Sequence, residues 1–177
     1  MPKNPLFIAK WLILSLVIAN FQTFSQTEDP PLRVEIPVGS TNETYQLLPM
    51  GREGVILYYR SVEMAGPGLI NWYFSLYDTN LLQLWTLPVG IPPEHQISGI
   101  KVDGPKAFLL FSATGKERNN DPGFEVAAID ITSGKMLLSS GKAGSGGTVS
   151  GFEVSEPYAW LGINTREGHG QIGRAHV

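Results

Sequence analysis

Cysteine is missing from the chain altogether. Disulfides, thiolate nucleophiles and Cys-ligated metals are therefore excluded, and so is a lipid anchor built on a cysteine behind the N-terminus. Charge is sparse: charged residues make up 16%, with 13 basic against 16 acidic side chains. A mildly acidic chain without a basic cluster is a poor match for nucleic acid or an anionic membrane surface. Histidine occurs three times and never as His-x-His or His-Glu-x-x-His, so the sequence holds no zinc-type pair. Long apolar runs are also missing. The stretch 11–20 (WLILSLVIAN) is broken by Ser15 and closed by Asn20, against about 20 residues for a bilayer-spanning helix. Beyond it, no segment places its apolar residues at a helical period.

What is present begins with that stretch. Lys3 and Lys10 precede it, and Thr23-Phe24-Ser25 follows with small residues at the −3 and −1 positions of a cleavage site. A basic start, a short apolar run and a small-x-small site predict a secretory signal peptide over 1–25. The expected product is periplasmic or on the cell surface, without stable membrane insertion once the signal is cleaved. At the other end, Ile172-Gly173-Arg174-Ala175-His176-Val177 resembles the in-frame translation of a sequencing adapter. Residues 171–177 are therefore read as an artefactual tail, with the stop falling inside a repeat. Without the two ends, Lys3, Lys10 and Arg174 drop out, and the 13 basic residues become 10 against 16 acids.

Glycine (20) and proline (13) are plentiful, which suits many short strands joined by turns. A repeat organises them. Ile97-Ser98-Gly99-Ile100-Lys101-Val102-Asp103-Gly104-Pro105 matches Val149-Ser150-Gly151-Phe152-Glu153-Val154-Ser155-Glu156-Pro157, residue for residue at a spacing of 52. Both read apolar-Ser-Gly-apolar-charged-Val-x-x-Pro, and each is followed by an apolar run, opening at Ala107 and Ala159. The same spacing leads back from Ala107 to Val55 and from Asp130 to Asp78. Each period resolves into four runs of aromatic and β-branched residues between Gly, Pro, Asn and Asp. The first copy gives 45–48, 55–60, 71–77 and 83–87. The second gives 96–102, 106–112, 124–131 and 135–139, and the third 148–154 and 158–163.

Four strands in about 50 residues, repeated, predict the blades of a β-propeller, each blade burying its faces against its neighbours. The expected fold is all-β: an incomplete propeller of about two and a half four-stranded antiparallel blades over 45–170. Residues 26–44 form an N-terminal segment. Within it, Val34-Glu35-Ile36-Pro37-Val38-Gly39 resembles Thr86-Leu87-Pro88-Val89-Gly90, so 32–36 is expected to be an outermost strand that completes a distant blade. Through Tyr77-Asp78-Thr79 and Ile129-Asp130-Ile131-Thr132-Ser133-Gly134, the pattern resembles the PQQ-like and kelch-like propeller proteins exported by Gram-negative bacteria. Trp85 stands at the place of the PQQ-type tryptophan, with Leu137 in the second copy, and the double glycine of kelch blades is absent. The resemblance implies the fold and brings no cofactor.

Residues able to carry chemistry each have a plainer reading. His95, behind Pro92-Pro93-Glu94, and His169 could ligate a metal or act as a base, but distant loop histidines are expected to be surface residues. Asn119, Asn120 and Asp121 could offer oxygens to calcium, yet their spacing is not that of a calcium loop, and a solvated loop over 112–123 is expected. Asp78 and Asp130 recur at equivalent places, which suits turn chemistry better than a paired-carboxylate site. Trp72, Tyr73, Phe74, Tyr77, Trp85 and Trp160 could form a sugar platform, but core packing between blades is the expected role for most. Gly141 to Gly147 lacks the spacing of a phosphate loop and reads as a flexible connection. Asn42-Glu43-Thr44 matches a glycosylation acceptor, which carries little meaning in a bacterial setting. No catalytic, cofactor-binding or metal-ligating residue is assigned. The leading expectation is an exported binding or scaffolding protein for a protein or carbohydrate partner. The alternatives are a polysaccharide-active or quinone-dependent enzyme and the ectodomain of a membrane sensor.

Overall fold

The structure, a computed structural model, describes residues 32–37, 43–113, 123–144, 146–165 and 170–176. The expected signal peptide, Asn42, the triplet Asn119, Asn120 and Asp121, and His169 lie outside them. Among the described residues no helix is long and apolar enough to cross a membrane.

The chain is all-β. The first sheet holds β1 (Gln46–Pro49), β2 (Val55–Gly66), β3 (Leu69–Tyr77) and β4 (Gln83–Ile91). The second holds β5 (His95–Asp103), β6 (Lys106–Ala113), β7 (Gly123–Asp130) and β8 (Met136–Lys142). The third holds β9 (Thr148–Ser155), β10 (Tyr158–Asn164) and β11 (Gly170–His176). Strands lie in chain order within each sheet, and every pairing among the described residues is antiparallel. A 3-10 turn at Gly51–Glu53 links β1 to β2. It closes on Gly54, whose φ of 110° and closeness to the Tyr77 carbonyl leave no room for a side chain.

The 52-residue spacing is a register in space. β2 pairs with β3 from Val55↔Tyr77 to Arg60↔Trp72, and β6 pairs with β7 from Ala107↔Ile129 to Ser112↔Phe124, each pair displaced by 52. Ala107↔Val102 and Ala159↔Val154 continue it into the third sheet. The Ser-Gly motif is a repeated β-bulge. The β5–β6 register slips around Ser98 and the β9–β10 register around Ser150. The two hydroxyls donate to equivalent carbonyls, Ser98 to Leu110 at 3.4 Å and Ser150 to Gly162 at 3.3 Å. One extra residue bends the strand there and satisfies a carbonyl from its own side chain.

Alternation within the strands builds two cores. Ile56, Tyr58, Trp72, Phe74 and Leu76 of the first sheet pack against Ala107, Leu109, Phe111, Ala127 and Ile129 of the second. The opposite face of the second sheet, with Phe108, Leu110, Phe124 and Val126, packs against Phe152, Ala159 and Leu161 of the third. The second sheet is thus covered on both sides, which is why Ala107 to Phe111 is an unbroken apolar run. Trp85 adds a polar tie, its indole N–H donating to the Ile131 carbonyl at 2.9 Å. Lys101 pairs with Glu153, its counterpart 52 residues on, at 2.8 Å across the second and third sheets.

Three strand ends depart from the sequence reading. β2 continues to Gly66, because Met64 and Gly66 pair with Ile70 and Leu69 in a hairpin turned at Pro67-Gly68. β4 runs on to Ile91, and Gly141 and Lys142, expected in a flexible connection, close β8 against Gly123 and Phe124. Residues 32–37 form no strand; Arg33 and Glu35 there make an exposed ion pair at 2.7 Å. The stretch read as a tail forms β11, paired with β10 from Tyr158↔His176 to Asn164↔Gly170. An edge strand presents a row of unpaired backbone groups, and any extended neighbour can satisfy them.

Candidate functional site

The two four-stranded sheets share their register up to Arg60 and Ser112 and then diverge. In the first sheet the pairing jumps from Arg60↔Trp72 to Met64↔Ile70, so Ser61, Val62 and Glu63 face Asn71 alone. Bulges of this kind turn side chains away from the regular alternation. Here the bulge opens a cleft of about 320 Å³ lined by Thr44, Gln46, Arg60, Ser61, Val62, Ile70, Trp72 and Gln96. The counterparts of Arg60, Ser61 and Trp72 in the second sheet are Ser112, Ala113 and Phe124. The polar set therefore belongs to the first sheet and its junction with β5.

Two residues that line the cleft each hold a buried N–H without a hydrogen-bond partner: Nε of Arg60 and Nε1 of Trp72. Trp72 is 4% exposed, and its ring meets Phe111 edge-on at 5.5 Å within the core. A buried donor left unpaired costs about 1–3 kcal/mol, which makes such atoms informative. Arg60 is anchored by its Nη2, which donates to the Pro93 carbonyl at 2.7 Å in the connection between β4 and β5. Gln46 accepts from the Tyr58 hydroxyl at 2.7 Å through Oε1. Burial holds the Tyr58 phenol above its usual range, so it stays a neutral donor. Ser61 accepts from the Glu63 N–H at 3.1 Å and donates to Glu43 at 3.3 Å.

Beside the cleft stands a buried histidine–glutamate pair. His95 opens β5, and its Nδ1 lies 2.5 Å from Oε2 of Glu125 on β7, reached across β6. The residues are 5% and 8% exposed. The surface position expected for His95 is therefore corrected: its backbone N–H closes a turn onto the Pro92 carbonyl at 3.0 Å, and that turn carries the ring inward. Among the described residues no third His, Cys, Asp or Glu joins them in a metal-binding group.

The recurring aspartates do turn chemistry. Asp78 Oδ1 accepts from the N–H groups of Asn80 and Leu82, both at 2.8 Å. Asp130 Oδ1 accepts from the hydroxyl and N–H of Ser133, both at 2.8 Å. Those two bonds, the hydroxyl first, hold the Asp130 carboxyl below its usual range. The aromatic set divides. Trp72, Phe74 and Trp85 belong to the core between the first two sheets, and Tyr77 is buried. Tyr73 instead stacks on Tyr59 at 5.4 Å, and Tyr59 lies 4.5 Å from Tyr45. Trp160 is 39% exposed beside Tyr158. No protein-family model, curated protein or solved structure matches the chain.

Proposed function

We propose that the chain is an exported binding protein of the β-propeller type, its sheets acting as blades and its ligand site lying where the first blade departs from the repeat. The observation that carries this reading is the paired register displaced by 52 residues in sheets that stack face to face. A scaffold of near-identical units supplies rigidity, and a single irregular unit supplies specificity. The basic, apolar and small-residue segments at the N-terminus support export. A cleft of about 320 Å³ lies at the small end of the range for ligand pockets, which favours a compact ligand over an extended chain.

A thermal-shift screen of the full chain against soluble sugars, sugar acids, short glycans and common metabolites tests the reading. At least one class is expected to raise Tm in a concentration-dependent way. A chain stabilised by none of them would contradict a binding role.

A further inference from the structure

The face of the first sheet turned away from the second carries a row of tyrosines. Tyr59 and Tyr73 alternate along β2 and β3 with Tyr58, Trp72 and Phe74 of the core, so they stand on the opposite side. Tyr45, Tyr59 and Tyr73 follow one another ring to ring at 4.5 and 5.4 Å, and all three are half-buried. An acid stands at each end of the row. Glu43 receives the Tyr45 hydroxyl at 3.2 Å, and the exposed Glu63, which lies in the register slip of β2, receives the Tyr73 hydroxyl at 2.7 Å. Burial, and then the charges of Glu43 and Glu63, hold the Tyr59 phenol above its usual range, so both carboxylates act on the middle of the row. Among the described residues neither acid has an ion-pair partner.

The repeat offers a comparison. Glu43, Tyr45, Tyr59 and Tyr73 correspond, at 52 residues, to His95, Ile97, Phe111 and Glu125. In the second sheet the Glu125 carboxylate meets the His95 imidazole at 2.5 Å, and both residues are buried. In the first sheet an acid replaces the imidazole, a phenol replaces the glutamate, and the chain supplies no basic side chain to either carboxylate. Ring faces beside carboxylates suit a cation, and a planar guanidinium can lie on a ring while its fork reaches an acid. A sheet face does not enclose a small molecule as a pocket does, which favours a cation carried on a larger partner. We propose that this face docks a protein segment carrying arginine, with the guanidinium on the tyrosine row and paired with Glu63. The inference concerns a different face from the cleft and stands apart from it.

The test follows the ring resonances of Tyr59 and Tyr73 in the full chain, identified by their loss in Tyr59→Phe and Tyr73→Phe. The probes are the peptide Gly-Arg-Gly-Arg-Gly and its analogues with lysine or the neutral isostere citrulline in place of arginine. The arginine peptide is expected to shift both resonances saturably and less tightly as salt is raised, with lysine weaker and citrulline without effect. Glu63→Gln, a change at an exposed site, is expected to weaken arginine-peptide binding about tenfold, the scale of one lost charged hydrogen bond. The unmodified chain answers through the three peptides even where a variant folds poorly. Citrulline shifting the rings as strongly as arginine would overturn the cation assignment, and lysine doing so would overturn the guanidinium. Resonances unmoved by all three peptides would overturn the docking face itself, while the thermal-shift screen decides the cleft separately.

Discussion

Glu125 sits in a strand whose other members are Gly, Phe, Val, Ala, Ile and a terminal Asp, and the His95 imidazole partners its carboxylate there. Taking such a group out of water is costly, and removing one partner strands the other. His95→Ala is expected to destabilise the chain by about 3–5 kcal/mol in urea unfolding. The double change His95→Leu with Glu125→Leu is expected to recover most of that loss. A double variant as unstable as the single one would mean that the pair holds its surroundings in place by more than mutual compensation. Sequence reading missed Glu125, although a lone acid in the run Phe124-Glu125-Val126 is a signal of a hidden partner. The partner's identity was not legible, because His95 lies 30 residues earlier and joins through β6. Arg60 and Trp72 gave no local sign, because their pairing status depends on a register slip that no side-chain pattern encodes.

At the scale of strands and sheets, the Ser-Gly bulge has two settings. At Gly99 an added Cβ would meet Cδ1 of Phe152 at 2.9 Å, so the glycine is the seat for the next sheet. At Gly151 the same atom would meet nothing closer than the Gly162 backbone nitrogen at 3.6 Å. Gly99→Ala is therefore expected to cost about 1–3 kcal/mol by overpacking, and Gly151→Ala well under that. Equal losses in denaturant titrations would mean that the glycines serve strand conformation and have no docking role. Sheet membership was readable from the sequence because alternation and the 52-residue spacing report which faces are buried. Strand ends were less so. β2 extends through Ser61 to Ala65 and β8 through Gly141 and Lys142, where backbone pairing needs no apolar signal. Residues 32–37 show the converse: a likeness to the end of β4 did not produce a strand without a neighbour to pair with.

Across the whole molecule, cover is uneven. The inner strands of the second sheet, β6 and β7, are clad on both faces, with Phe108, Phe111, Val126, Ala127 and Ile129 fully enclosed, whereas Leu137 on its edge strand β8 and Trp160 on β10 stand exposed. Local opening tracks the number of buried apolar contacts. Amide hydrogen exchange is expected to be slowest in β6 and β7, at the rate of global unfolding, and at least tenfold faster in β10 and β11. Uniform protection across the three sheets would instead indicate a single cooperative block. The two faces of each sheet are also not interchangeable. Leu109 and Phe111 look back to the first sheet, while Phe108 and Leu110 look ahead to the third. The assembly consequently has a polarity, and its coding sequence inherits a rule. Duplicating 52 codons keeps that facing pattern, whereas adding one codon inside β6 exchanges, over the rest of that strand, the side chains that look back with those that look ahead.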